Sequence, residues 1–194
     1  MADTNEGRIP LLSVQAARAA AEEEGINPAM GELNVFRALL HQPKAAAAIS
    51  NMLITLLFTG KHLDKRLREL IIMRIGWATG CDYEWTQHWR VATDLGIPEE
   101  ALLGVRDWRN ADCFTDADQA VLAATDDTLE QGSVSAETWA KLEEHVGGPD
   151  LIVETLAAIG CWNVISQMAK SIQFPLEEGV VSWPPDGKSP EGAV

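Results

Sequence analysis

Positive charge is scarce in this chain: 15 lysines and arginines stand against 29 aspartates and glutamates, a formal net charge of −14. A sequence-independent grip on nucleic acid needs a dense basic surface, so nucleic acid is excluded as a main partner. Long apolar runs are missing as well. The best one, residues 49–58, is short and interrupted by Asn51 and Thr55, so no membrane span and no membrane partner is expected. The first residues, Met1-Ala-Asp-Thr-Asn-Glu, carry neither a basic nor an apolar leader region, and no secretory signal is read there. Cysteine is limited to Cys81, Cys113 and Cys161. An odd, widely spaced set does not make a disulfide framework and points to a reducing cytoplasm. Gly-rich phosphate loops, nucleotide fingerprints and a serine elbow are all lacking.

What is present is ordinary globular material: 194 residues, 46% hydrophobic and 23% charged, enough to bury one real core. Helix signals recur and nothing reads as a strand. Ser13 caps a helix that Gly25 ends, and Asn34 caps one closed by Gln42-Pro43. Pro43 opens the next, through Phe58, and Asp64 opens residues 65–79. Gly80 breaks the chain before a helix from Asp82 that ends ahead of Gly96. Pro98 starts a short helix to Arg106, and Thr115-Asp-Ala-Asp118 forms a capping box. Ser135 caps residues 136–145, and Pro149 opens a long helix ending near Phe174-Pro175. The tail from Pro175 holds four of the nine prolines and three glycines and is expected to be irregular or wrapped on a neighbour. The expectation is one all-α domain of about eight or nine helices: an N-terminal helix or arm over 1–29, a helical domain over 30–178, and a tail over 179–194.

Chemistry concentrates in residues 64–96. After Gly80, Cys81, Glu84 and His88 fall at i, i+3 and i+7 along one helix face. Glu84 and His88, one turn apart, are close enough to share a proton. Cys81 stands at the helix start, where free amides and the macrodipole favour a thiolate. If the flanking helices are antiparallel, Glu69 and His88 lie within about 4–5 Å of the same level at about 1.5 Å rise per residue. Arg74, inside an apolar run, is expected to be half-buried and paired with Glu69, Glu84 or a substrate carboxylate. Tyr83, Trp85 and Trp89 offer apolar company that shifts the pKa values of such groups, although tryptophans at helical spacing also serve simply as core. Within a Cys-x-x-Glu-x-x-x-His run, Glu84 and His88 alone are more often a solvated ion pair than a catalytic one. A mixed metal site of Glu69, Cys81, Glu84 and His88 is disfavoured, because matched Glu-x-x-His motifs are missing. Cys113 and Cys161 read as small buried hydrophobes. His41, His62 and His145 read as helix-end caps, and Asn163 and Gln167 as core amides or pocket lining.

The run Arg68-Glu69-Leu-Ile-Ile-Met-Arg74, followed by Cys81-Asp-Tyr83-Glu84-Trp85-Thr-Gln-His88, resembles the carboxymuconolactone decarboxylase-like proteins of the alkylhydroperoxidase D-like superfamily. The resemblance continues in Asn34-Val-Phe-Arg-Ala-Leu-Leu-His-Gln-Pro, in Phe114-Thr-Asp-Ala-Asp-Gln-Ala-Val-Leu and in Gly160-Cys-Trp-Asn163, and spans roughly residues 30–178. It implies an all-α alkylhydroperoxidase D-like bundle and assembly into a homo-oligomer, trimer or hexamer. Peroxidase members resemble Glu…Cys-x-x-Cys-x-x-x-His, with a redox disulfide. Here Glu84 occupies the position of the second, nucleophilic thiol. The resemblance therefore implies a cofactor-independent acid–base enzyme, without a metal, acting on a small organic acid or lactone. His88, Glu84, Glu69 and Cys81 are the candidate catalytic residues; Tyr83, Trp85 and Arg74 are the candidate substrate contacts. The alternatives are a thiol peroxidase using Cys81 and a non-catalytic helical oligomer that binds a ligand or partner.

Overall fold

The computed structural model describes residues 7–60 and 63–193; His62 lies outside them, so its expected capping role is not described. Among the described residues there are nine α-helices and no strand: α1 (Val14–Glu23), α2 (Asn34–Leu39), α3 (Pro43–Ile54), α4 (Lys65–Thr79), α5 (Asp82–Asp94), α6 (Glu99–Gly104), α7 (Asp116–Gln131), α8 (Ala136–His145) and α9 (Pro149–Ile172). The chain thus folds as the expected all-α helical bundle.

Short polar side chains set most helix starts. Ser13 accepts from the Ala16 amide, Asp64 from the Arg66 amide and Ser135 from the Thr138 amide. Thr115 and Asp118 close their capping box in both directions, satisfying amides that have no intrahelical partner. Asn34 departs from expectation. Leu33 takes the cap position, while the Asn34 side-chain Nδ2 donates to the Pro175 and Leu176 carbonyls of the tail at 3.1 and 3.2 Å. α3 is also shorter than its pattern suggests. It passes at Thr55 into a π-helical turn, Thr55–Thr59, closed by the Gly60 amide on the Thr55 carbonyl at 2.6 Å.

α4 and α5 form an antiparallel pair about Gly80, which adopts the left-handed conformation at φ 67° and ψ 36°. The helices approach closely at Gly76, where a Cβ would lie 2.9 Å from the Trp85 amide nitrogen. A larger residue there would force the pair apart.

α9 is the long apolar helix of the molecule. By length and composition alone it could cross a membrane, a property that the reading of residues 49–58 overlooked. In the bundle it buries Ile152, Ala158, Ile159, Cys161 and Trp162 against Ile71, Ile72 and Ile75 of α4 and Ala120 and Val121 of α7. A second core joins α1, α2 and α3 through Ala17, Ala21, Phe36 and Leu39. A third, between α5, α6 and the segment Val105–Asn110, is built around Trp85 and Leu102.

The tail after α9 is irregular and folds back on its own chain. Trp183 packs against Trp77 and Trp85, and Asp82 accepts from the Trp183 amide and the Ser182 hydroxyl. Glu177 accepts from the Asn34 amide and the Tyr83 hydroxyl. These contacts fix the start of α5, and with it the motif that follows.

Candidate functional site

Three of the sequence-selected side chains meet between α4 and α5. Glu69 Oε2 lies 2.7 Å from His88 Nδ1, and Glu84 Oε1 lies 3.7 Å from His88 Nε2. Glu69 and Glu84 are 0% and 2% exposed, so this is no solvated ion pair. Two partners escaped the sequence reading. Arg68 donates to Glu69 Oε1 from Nε and Nη2, at 3.0 and 2.9 Å, and from Nη1 to the carbonyls of Leu56 and Leu57. Trp162 of α9 donates its indole N–H to His88 Nε2 at 3.0 Å. Arg68 was next to Glu69 in the motif. Trp162 is 74 residues from His88, and only its place in Gly160-Cys-Trp-Asn163 marked it.

The electrostatics divide the two carboxyls. Burial pushes Glu69 upward, but the charges and hydrogen bonds of His88 and Arg68 outweigh it and hold the carboxyl below its usual pKa. Burial pushes Glu84 up to about 7, with His88 opposing and Glu69 adding. One oxygen of Glu84, Oε2, is buried without a hydrogen-bond partner. Burial disfavours the His88 imidazolium, yet Glu69 and then Glu84 raise its pKa above the ordinary value. The Trp162 N–H pulls the other way, because it occupies the Nε2 lone pair that a proton would need. With Nδ1–H donated to Glu69, the neutral ring is fixed in one tautomer.

Glu84, His88 and Tyr83 line one side of a cavity of about 370 Å³, whose other walls come from α2, α3, the π-helical turn, α5 and α9 and are mostly apolar. Tyr83 is anchored by its hydroxyl, which donates to Glu177 at 2.7 Å and accepts from the Val35 amide at 3.3 Å. Burial, then the Glu177 carboxylate, push its phenol pKa upward.

The remaining candidates lie elsewhere. Cys81 opens on a neighbouring cavity of about 510 Å³ walled by the tail, with Tyr83 shared between the two. Burial and the Glu84 charge push its thiol up to about 12. This corrects the expectation of a thiolate, since desolvation at 1% exposure overrides the helix-start field. Trp85 is a core residue and not a substrate contact. It is 0% exposed, and its N–H donates to the Pro184 carbonyl at 2.8 Å. Arg74 is half-buried and paired, but with Asp126, at 2.6 and 3.1 Å, and with the Val105 carbonyl. It borders a separate groove of about 880 Å³ on another face of α9, together with Asn163 and Gln167. It therefore touches neither Glu69 nor Glu84. Cys161 is buried, whereas Cys113 is only partly so, its sulfur 3.9 Å from the Glu100 carbonyl. His41 faces the Pro10 carbonyl at 2.7 Å instead of capping its own helix, and His145 stands in the last turn of α8. Among the described residues no group of three or more His, Cys, Asp or Glu side chains is placed to hold a metal ion.

Comparison with known proteins gives the same class. Residues 43–127 match the carboxymuconolactone decarboxylase family, a stretch that contains Glu69, Cys81, Glu84 and His88. No curated protein matches the chain. Among solved structures, an uncharacterized peroxidase-related protein with an alkylhydroperoxidase AhpD core, from Ralstonia eutropha, superposes with TM-score 0.71. It is 19% identical, over 89% of this chain and 93% of that one. A protein of unknown function from Agrobacterium tumefaciens gives 0.65 at 22% identity, over 70% and 92%. The debrominase Bmp8 gives 0.67 at 17% identity, over 85% and 86%. The fold is thus that of the alkylhydroperoxidase D-like proteins. The resemblance to the carboxymuconolactone decarboxylase family covers residues 43–127, somewhat under half of the chain.

Proposed function

We propose that the chain is a cofactor-independent acid–base enzyme acting on a small organic acid or lactone, by decarboxylation, isomerisation or lactone hydrolysis. The observation that carries this reading is the buried Glu69–His88–Glu84 array, with an unpartnered carboxyl oxygen on Glu84, at the wall of an apolar cavity. Loss of CO₂ from such a substrate leaves an electron pair that conjugation spreads into an enolate, which must then be protonated. Glu84, with a pKa of about 7, is near the ideal for a group that must both hold and release a proton at neutral pH. His88 is the second proton carrier, Glu69 orients its ring, and Arg68 keeps Glu69 ionised. Tyr83 contributes wall, and Cys81 stays an accessory residue behind it.

A panel of carboxylated lactones and aromatic acids in D₂O, followed by proton NMR for ring opening, CO₂ loss and deuterium uptake, tests the reading. His88→Gln and Glu84→Gln should each reduce turnover by about 10²–10⁴-fold, while Cys81→Ser retains activity. Inactive Cys81→Ser with near-normal Glu84→Gln would favour the thiol peroxidase instead. The debrominase among the structural neighbours widens the panel to halogenated aromatic acids. We further propose a cytoplasmic homo-oligomer, trimer or hexamer. Exposed Met52, Ile54 and Phe58 on α3 and the π-helical turn supply apolar surface for it, and a monomer in sedimentation at micromolar concentration would refute it.

A further inference from the structure

The cavity beside Glu84 and His88 is built mainly from hydrocarbon: Leu33, Val35, Leu53, Leu57 and Phe58 supply much of its wall. At about 370 Å³ it sits near the small end of ligand pockets, which run from about 300 to 1,000 Å³. Such a wall would leave a heavily oxygenated ring with unpaired polar groups. The polar lining is sorted by sign and depth. Buried Glu84 and half-buried His88 lie deep, whereas Lys65 and Arg90 line the same cavity from exposed positions. Arg68 also borders it but is spent on Glu69 and two carbonyls. The side chains of Lys65 and Arg90 make no ion pair or hydrogen bond with the described residues, in a chain whose net charge is −14. Lys65 is one helical turn before Glu69, about 6 Å along α4, and Arg90 is six residues, about 9 Å, beyond Glu84 along α5.

We infer that the site selects an apolar monocarboxylate, whose hydrocarbon body fills the cavity and whose carboxylate faces the exposed Lys65 and Arg90 that line it. This inference rests on the acid–base reading and narrows it to isomerisation or lactone hydrolysis, because the one carboxylate held at the rim is too far from Glu84 and His88 to leave as CO₂ there. The carboxylate at the rim is a handle, while the reacting carbon lies deeper, beside the unpartnered Glu84 oxygen and His88. Two unpartnered cations at an apolar mouth attract one anionic end, and a second carboxylate on the ligand would have to enter beside Glu84 and hydrocarbon, where it finds no cation free to receive it.

Isothermal titration of the full-length protein with octanoate, 1-octanol and octanedioate tests this without turnover. Octanoate should bind about five- to tenfold more tightly than 1-octanol, the modest gain that exposed cations supply, and octanedioate should bind more weakly than octanoate. In the Lys65→Ala, Arg90→Ala double variant the acid's advantage should shrink to about twofold or less, with 1-octanol affinity unchanged. Equal affinity of acid and alcohol in the wild type, an advantage that survives the double variant, tighter binding of the diacid, or no binding of any member because a second copy covers the mouth would each overturn the inference. His88→Gln should still bind octanoate within about threefold. Selective binding together with turnover that does not need His88 would overturn the acid–base reading and leave the ligand class standing. Turnover that needs His88 without selective binding would do the reverse.

Discussion

Glu84→Gln should change how stability depends on pH, by an amount that the burial of this carboxyl sets. The folded pKa of Glu84 is about 7 against an ordinary 4.5, a rise of about 2.5 units, or about 3 kcal/mol at 1.36 kcal/mol per unit. Because the folded pKa is raised, the stabilisation belongs to the protonated form. It is fully present below pH 4.5 and is lost as pH rises through 7. The isoelectric point of about 4.6 makes the acid end awkward for solution work. Between pH 5.5 and 9 about 2 kcal/mol of the change should still be seen. The glutamine variant lacks this titration, so wild-type stability minus variant stability should fall by about 2 kcal/mol across that window. His88 changes stability in the same sense, its raised pKa favouring the fold at lower pH, but it is present in both proteins and largely cancels. Urea unfolding at fixed protein concentration reads the difference directly. Thermal melts should show it as about 4–8 °C, given about 2–4 °C per kcal/mol for a chain of this size. Parallel pH profiles for wild type and Glu84→Gln would mean that Glu84 titrates as an ordinary surface acid, and the proton-holding role would fall with it.

Trp85→Ala should cost about 3–5 kcal/mol of stability, since the ring is wholly buried between Trp77, Trp89 and Trp183; a melt within 2 °C of wild type would return Trp85 to the pocket wall. Trp162→Phe removes the N–H that holds the His88 lone pair, so the His88 pKa should rise further in an NMR titration of the four histidines, and an unchanged or lower value would show that this bond does not hold the neutral ring. Mild peroxide should leave Cys81 unmodified in mass spectrometry, because its thiol is buried with a pKa near 12; rapid sulfenate there would revive the peroxidase reading.

The helices and the acid–base trio were legible in the sequence because both are local or nearly so. Caps such as Thr115-Asp-Ala-Asp118 and the Cys81–Glu84–His88 spacing act within two turns, and Glu69 needed only the antiparallel step across Gly80. Arg74 and Trp85 were misplaced for one shared reason. Helical periodicity says that a residue is buried but not against what, and Arg74 finds Asp126 of α7, 52 residues away, while Trp85 finds the tail at Pro184. Trp162 and the cavity wall from α2 and α3 are likewise products of long-range packing, which spacing along α5 cannot report. Asn34 was misread because a tail more than 140 residues downstream competes for its side chain.

The exchange that most shapes the site is a carboxyl standing where the resemblance to peroxidases would put a thiol. A thiolate nucleophile delivers an electron pair to a peroxide and needs a partner sulfur to be regenerated, whereas a carboxyl of pKa about 7 only takes up and returns a proton. The surroundings agree with the second role. Glu69, held ionised by Arg68, biases His88 toward keeping its Nδ1 proton, and Glu84 lies 3.7 Å from the other ring nitrogen. Near neutral pH, Glu84, with a pKa of about 7, takes up and returns a proton, and His88, its pKa raised by Glu69 and Glu84 against burial, stands beside it as the second carrier. Restoring a cysteine by Glu84→Cys would therefore not by itself recreate a peroxidase, since burial keeps the neighbouring Cys81 thiol protonated and a poor nucleophile toward an oxidised partner. The variant should lose acid–base turnover and gain no peroxide consumption beyond a single stoichiometric oxidation, and sustained peroxide turnover would show that Cys81 can resolve the oxidised thiol despite its burial.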